Sequence, residues 1–333
     1  MKRLPPALLL VGDVRQELKK LPTASVDCCV TSPPYFWLRD YQVAGQMGQE
    51  DNIDLWVEEL RIVFRGIARV LKPQGSLWLN VADSYSRHQR YGAPAKSLLL
   101  GPERLALALQ RDGWIVRNRV AWTKPNPMPN SVRDRFNATW EFVFFLTRST
   151  RYFHDLDAVR IPHRSPTRKV DSAAEIPVPA SRPAWAGPLA GSQSGLKRLN
   201  RLGLPGHRLG RNPGDHWSFP TVGFRGAHFA TFPERLVERP LLASCPARVC
   251  SRCGLAWRRQ NEALRPACDC RTGWQPGTVL DPFFGAGTTA VVAERLGRNW
   301  CGIELSRDFA EIARRRIETA RQRQDPEGRR SAA

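Results

Sequence analysis

The chain has 333 residues, of which 42% are apolar and 25% charged, and 51 Lys and Arg stand against 31 Asp and Glu for a formal net charge of +20 and a pI near 10.5. That length suits one large α/β domain with an insertion, or two domains, and that charge points to a polyanionic partner, nucleic acid before membrane. No run of 18 apolar residues occurs, which excludes a transmembrane helix, and eight cysteines in a chain this long do not describe a small disulfide-stapled secreted fold.

In chain order, Leu8-Leu9-Leu10-Val11 is a short apolar strand ending at Gly12-Asp13, too short and too lightly flanked for a signal peptide, so a cytoplasmic, nucleoid-associated protein is expected. Val26 to Val30 is a second, buried strand. Trp56, Leu60, Phe64, Ile67 and Leu71 recur at three- and four-residue steps, predicting an amphipathic helix over 52–71 with Asn52 or Asp54 as its cap, closed by Lys72-Pro73-Gln74-Gly75. Ser76–Val81 is a strand, Pro102–Arg111 a helix, and 114–122 and 140–146 two strands forming an antiparallel hairpin. The strand–helix alternation predicts a mostly parallel sheet.

From Arg164 to Pro213 the composition changes to seven Pro, six Gly and nine Lys or Arg against two Asp or Glu, without periodicity. Such a segment is a disordered basic linker or one that orders on DNA. Order resumes at 215–220, Pro233 opens a helix, and five cysteines crowd into 245–270. Thr278–Leu280 is a strand leading through a glycine turn to a helix over 290–296. Asn299–Glu304 is the last strand and 307–322 a basic helix.

Two motifs carry chemistry. Asp281-Pro282-Phe283-Phe284-Gly285-Ala286-Gly287-Thr288-Thr289 is a strand–turn–helix whose glycines let backbone approach a ligand, and Glu304, 19 residues past Gly285, stands where a carboxylate on the next strand end accepts ribose hydroxyls. Thr31-Ser32-Pro33-Pro34-Tyr35 caps a strand with a proline-stiffened loop. An exocyclic amino group is a poor nucleophile while its lone pair is delocalised into the base, and the Ser32 hydroxyl and Pro33 carbonyl are acceptors able to draw its hydrogens out of plane. Prolines 33 and 34 remove competing donors, and Tyr35 can stack on the base.

These residues closely resemble the amino-methyltransferase and S-adenosylmethionine motifs of β-class DNA amino-methyltransferases, the N4-cytosine and N6-adenine enzymes, in the circularly permuted order of that class. Gly226–Pro233 resembles the family's additional cofactor segment. The resemblance implies a Rossmann-like S-adenosylmethionine-dependent methyltransferase sheet with a target-recognition insertion. It implies that Phe283, Gly285 and Gly287 line the methionine end of the cofactor, that Glu304 holds its ribose, and that Asp281, Pro282 and Thr288 also belong to the cofactor-binding set. Asp13 would bind its adenine amino group, with a simple Gly-Asp turn as the bland reading, and Phe232 and Pro233 would close the pocket. Ser32, Pro33, Pro34 and Tyr35 would grip a base flipped out of double-stranded DNA. Serine rather than aspartate at 32 favours cytosine N4 over adenine N6.

The absence of a Pro-Cys dipeptide disfavours C5 methylation. RNA or protein-amide methylation and a non-catalytic zinc DNA-binding protein are the rival readings. Dimerisation is usual in the class, and a cognate restriction endonuclease is an open companion. Cys250, Cys253, Cys268 and Cys270 form two close pairs 14 residues apart, the pattern of a structural zinc site, with reduced surface thiols as the alternative and Cys245 able to replace one member. The expected layout is a catalytic half over 1–163, a basic insertion over 164–213, a cofactor half over 214–244 and 274–324, a cysteine-rich zinc element over 245–273, and a tail over 325–333.

Overall fold

The computed structural model describes residues 3–163, 207, 209–221, 231–260 and 263–324. Most of the basic insertion, the 226–230 part of the additional cofactor segment and the 325–333 tail therefore lie outside the described residues. The chain divides into two compact units, Met1–Asp155 with Gly214–Ala333, and Leu156–Pro213. Within the second, a short 3-10 turn at Leu156–Val159 and a bridge between Ile161 and Arg211 are described.

The first unit is built on an eight-stranded sheet. Its strands are β1 (Ala7–Val11), β2 (Val26–Thr31), β3 (Leu71–Val81), β4 (Ile115–Thr123), β5 (Trp140–Thr147), β6 (His216–Ser218), β11 (Thr278–Asp281) and β12 (Asn299–Glu304), in the spatial order β1-β12-β11-β2-β3-β5-β4-β6. The four strands between, β7 (Val249–Cys250), β8 (Arg258–Gln260), β9 (Ala263–Arg265) and β10 (Trp274–Gln275), form two small ribbons outside it. The first five strands in the spatial order are mutually parallel, while β5 runs antiparallel to both β3 and β4, as the expected hairpin requires. Strand β6 adds a short parallel edge that the sequence pattern does not signal.

Helices cover both faces. α1 (Val14–Lys20), α2 (Ile53–Val70) and α3 (Gly101–Arg111) pack on one side, α4 (Glu234–Ser244), α5 (Thr288–Arg295) and α6 (Arg307–Gln324) on the other. The apolar stripe of α2 is buried in full at Trp56, Leu60, Phe64 and Ile67, which is why it holds the sheet, and Asn52 caps it by accepting from the Leu55 amide at 2.9 Å. Among the described residues no helix is long and apolar enough to cross a membrane.

One expectation needs correction. Lys72–Gly75 does not separate helix from strand: β3 begins at Leu71, which pairs with Val26, and the pairing then jumps to Cys28 with Ser76, so the extra residues form a bulge inside the strand. The helix that begins after Pro233 runs on through Pro240 to Ser244. Cys28, Cys29 and Cys301 are fully buried in strands, as their apolar context implies.

The topology brings the two ends of the chain together. β11, from the C-terminal part, lies beside β2, from the N-terminal part, with Val279 opposite Cys28 and Leu280 opposite Cys29. Their carboxyl ends, and those of β1 and β12, open on the same edge, where ligands bind in open parallel sheets.

Candidate active site

A cavity sits at that edge. Each wall comes from the segment just past a strand: Gly12 and Asp13 after β1, Ser32 and Pro34 after β2, Pro282 to Ala286 after β11, Glu304 and Leu305 at the end of β12. Phe232 and Thr288 complete it, together with the 41–47 loop, whose Tyr41 and Met47 the motif reading did not single out.

The β11–α5 turn is shaped by packing. The buried Phe284 ring stacks on Trp300 at 5.5 Å and lies so close over Gly302 that a Cβ there would meet it at 2.4 Å. This anchors the turn and leaves the adjacent Phe283 on the cavity side. Gly285 and Gly287 have φ of +52° and +73°, and a Cβ at Gly287 would meet Ala313 at 3.1 Å, so glycine is demanded there twice over. Gly287 is the N-cap of α5 rather than a wall residue. Arg316 of α6 holds the turn from behind through the Thr288 hydroxyl at 2.7 Å and the Ala286 carbonyl at 3.2 Å.

Glu304 is buried, and each of its carboxylate oxygens accepts one backbone amide, Gly285 at 2.7 Å and Ser306 at 2.9 Å. Burial raises its pKa. The carboxylate is thus fixed in orientation with lone pairs left for a ligand. Asp13 faces the cavity while capping α1: its carboxylate accepts from the Arg15 amide at 2.8 Å and from the Arg15 guanidinium, which holds it below the usual carboxylate range.

Asp281 is almost wholly buried behind the turn, not in the wall. It accepts from the Thr31 hydroxyl at 2.8 Å, the Thr289 hydroxyl at 2.7 Å and the Phe283 amide at 3.2 Å. It therefore clasps the end of β2 to the start of the glycine turn and α5, two segments 250 residues apart in sequence. Burial pushes its carboxyl up to about 7 despite these donors. Pro233 is the buried N-cap of α4, next to the wall residue Phe232.

Behind Ser32 runs a polar chain. Ser32 Oγ donates to the Tyr35 hydroxyl at 3.0 Å, and that hydroxyl has two acceptors, Glu141 Oε2 at 3.0 Å and Asn80 Oδ1 at 3.2 Å. Asn80 Nδ2 also donates to Glu141 Oε2 at 3.0 Å, and Lys124 pairs with the other carboxylate oxygen. Burial, then the charge of Glu141, drives the Tyr35 pKa well up, so the phenol stays a donor. Pro33 is buried under the loop, and neither it nor Tyr35 reaches the cavity wall. Asn80, Lys124 and Glu141 escape motif reading; the one signal was a carboxylate near the head of an otherwise apolar strand, Trp140-Glu141-Phe142-Val143-Phe144-Phe145-Leu146.

A glycine turn at a helix N-terminus, a fixed carboxylate one strand away, and Ser32 and Pro34 of the proline-stiffened loop thus face the same space. The family model described as DNA methylase, of the N6/N4 type, matches residues 26–315. The chain belongs to the N6/N4 DNA methylase family. The methylase is 34% identical to Type II methyltransferase M.SmaI of Serratia marcescens over 330 residues, covering 93% of this chain and 90% of the relative. It is 34% identical to Type II methyltransferase M.Cfr9I of Citrobacter freundii over 334 residues, covering 94% and 88%. The fold is shared with the PvuII cytosine-N4-specific DNA methyltransferase, at a TM-score of 0.58 and 16% identity over 96% of this chain and 95% of that one. It is also shared with a DNA modification methylase of Thermus thermophilus complexed with S-adenosyl-L-methionine, at a TM-score of 0.53 and 22% identity over 94% and 95%. The methylase is accordingly an enzyme that methylates DNA.

The four cysteines of the zinc expectation also meet. Cys250, Cys253, Cys268 and Cys270 have their sulfurs within 4.8 Å of one another, whereas Cys245 is the buried C-cap of α4 and stands apart from the group.

Proposed function

We propose that the methylase transfers a methyl group from S-adenosylmethionine to the N4 amino group of a cytosine flipped out of double-stranded DNA. The observation that carries this reading is the meeting of Ser32, Gly285 and Glu304 around one cavity. The donor set fits the cofactor: Glu304 presents a fixed carboxylate to vicinal ribose hydroxyls, Asp13 offers an acceptor to an adenine amino group, and Phe232 and Phe283 give apolar cover. Pro282, Gly285 and Thr288 would flank the methionine end, with Asp281, Gly287 and Pro233 holding these segments from outside the wall. The bound cofactor supplies a sulfonium methyl as the electrophile.

The chain's own residues prepare the nucleophile. Because the Ser32 hydroxyl donates to Tyr35, its lone pairs remain for a hydrogen of the target amino group. Accepting that hydrogen localises the nitrogen lone pair and aims it at the methyl carbon, so alignment supplies much of the rate. The net charge of +20 supports holding the phosphates around an extruded base. The name Type II methyltransferase borne by the relatives supports a companion restriction endonuclease.

The deciding experiment incubates the protein with S-adenosylmethionine and mixed-sequence duplex DNA, digests the product to nucleosides and weighs them. N4-methylcytosine is the expected product. N6-methyladenine would transfer the same site to the adenine reading, and 5-methylcytosine, or methylation of RNA alone, would overturn the proposal.

In this reading Glu141 is a positioning residue acting through Tyr35. Glu141→Gln is expected to lower kcat about tenfold while leaving KM for DNA and the Kd for S-adenosylmethionine within about twofold. In a Ser32→Ala background the same change should add almost nothing, because the chain it orients has lost its end. Steady-state kinetics on the two single variants and the double variant provide the check.

A further inference from the structure

The segment between α4 and β11 has little apolar material of its own. Its four strands are two or three residues each, with β7 paired to β10 and β8 to β9. Among the described residues, its buried Val249 and Ala256 cluster with Phe153. Ribbons this short do not hold by themselves in water.

What they converge on is sulfur. Cys250 lies on β7, Cys253 in the turn that follows, where Gly254 takes a φ of +73°, and Cys268 and Cys270 on the return before β10. The four Sγ atoms lie within 4.8 Å of one another and none is in a disulfide. A tetrahedral zinc ion with bonds of about 2.3 Å places its sulfurs about 3.8 Å apart, so a small contraction completes the shell. The Arg252 amide donates to Cys250 Sγ at 3.4 Å and the Thr272 hydroxyl lies 3.3 Å from it, the outer hydrogen bonds that steady a ligating thiolate. An all-sulfur set selects zinc over magnesium or calcium.

We infer that Cys250, Cys253, Cys268 and Cys270 bind one zinc ion that folds the 245–277 segment and fixes where β11 begins. The connection to the sheet is direct. β10 runs through Pro276 and Gly277 into β11, the Gly277 amide donates to the Pro246 carbonyl at 3.0 Å, and the Asn299 amide of β12 donates to the Gly277 carbonyl at 2.9 Å. The segment joins the sheet at the amino end of β11, while the cavity opens at its carboxyl end, a strand length of roughly 13 Å apart for four residues. Four thiolates leave no open position on the metal, so its work is structural. This inference stands on the thiol cluster and does not depend on which base is methylated.

The test is metal analysis of the full-length protein as purified. One zinc per chain is expected, and exchange into cobalt should give the intense visible bands of a tetrahedral ion with near-ultraviolet thiolate charge transfer. Stripping the metal with a thiol reagent and chelator should lower Tm by roughly 10 °C or more. In calorimetry well below the new Tm, the Kd for S-adenosylmethionine should change less than threefold. Cys268→Ser should show the lowered metal content if it folds; if it does not, cobalt binding by the unaltered chain decides. A metal-free protein with an unchanged Tm, an intact mass showing disulfides among these cysteines, or a collapse of cofactor binding without loss of Tm would each overturn the inference.

Discussion

Ser32→Ala is expected to lower kcat by on the order of 10²-fold while changing the Kd for S-adenosylmethionine by less than about threefold. The asymmetry follows from what the hydroxyl touches. Its hydrogen is committed to Tyr35 at 3.0 Å, so under the proposed mechanism its lone pairs would act on the amino group only as its nitrogen turns pyramidal toward the methyl donor. The Phe283, Gly285 and Glu304 surfaces that would hold the cofactor come from β11 and β12 and are untouched by the change. Loss of the hydroxyl also strands the Tyr35 end of the polar chain, but Tyr35 keeps Asn80 and Glu141 as partners, so the loop should not collapse. Single-turnover kinetics with calorimetric cofactor binding measures both quantities. Equal losses in the two would mean that Ser32 shapes the cofactor pocket rather than the reacting amine, and would sink the role given to it.

How far the sequence reveals this site depends on whether the signal is local. The two glycine- and proline-rich motifs were legible because each is written in consecutive residues at a strand end, and Glu304 because strand, turn, helix and strand follow at a fixed spacing. The order of the strands in the sheet makes those separate motifs neighbours, and a parallel sheet requires that pairing without recording it in any one segment. Glu141, Asn80 and Lys124 could not be read, since their relation to Tyr35 arises only when β2, β3, β5 and β4 pair in the sheet. Lys72-Pro73-Gln74-Gly75 has every mark of a helix stop, yet α2 already ends at Val70 and β3 begins at Leu71. The bulge that carries those residues into β3 is decided by pairing with β2 and leaves no periodic trace. Asp281 was legible as part of a motif but not in its place, because burial and the two threonine partners are tertiary facts.

That placement yields the second large effect. Asp281 joins the end of β2 to Thr289 at the start of α5, through hydroxyl donors at 2.8 and 2.7 Å. Asp281→Ala leaves two hydroxyls and the Phe283 amide without their acceptor in a buried site, a loss of about 3 kcal/mol or more. Unlike Ser32→Ala, it should weaken cofactor binding and slow turnover together, because both motif loops lose their common anchor. Asp281→Asn separates the clasp from its charge. In the folded protein the Asp281 carboxyl is raised from 3.8 to about 7 by burial, so the folded state keeps a proton that the unfolded chain has lost. The contribution of this group to stability is therefore greatest at low pH and falls as pH rises from about 4 to about 7, the reverse of an ordinary salt-bridged aspartate. Between pH 5.5 and 8 the fall is about 2 kcal/mol. Asparagine does not titrate, and the Thr289 hydroxyl can turn to accept from its amide. The stability of the native protein relative to Asp281→Asn should thus decline across that interval, measured as paired denaturant midpoints in the same buffers. A gap between the two proteins that stays constant or widens with pH would mean that Asp281 is ionised in the fold and that its clasp is electrostatic rather than a set of hydrogen bonds to a mostly neutral acid.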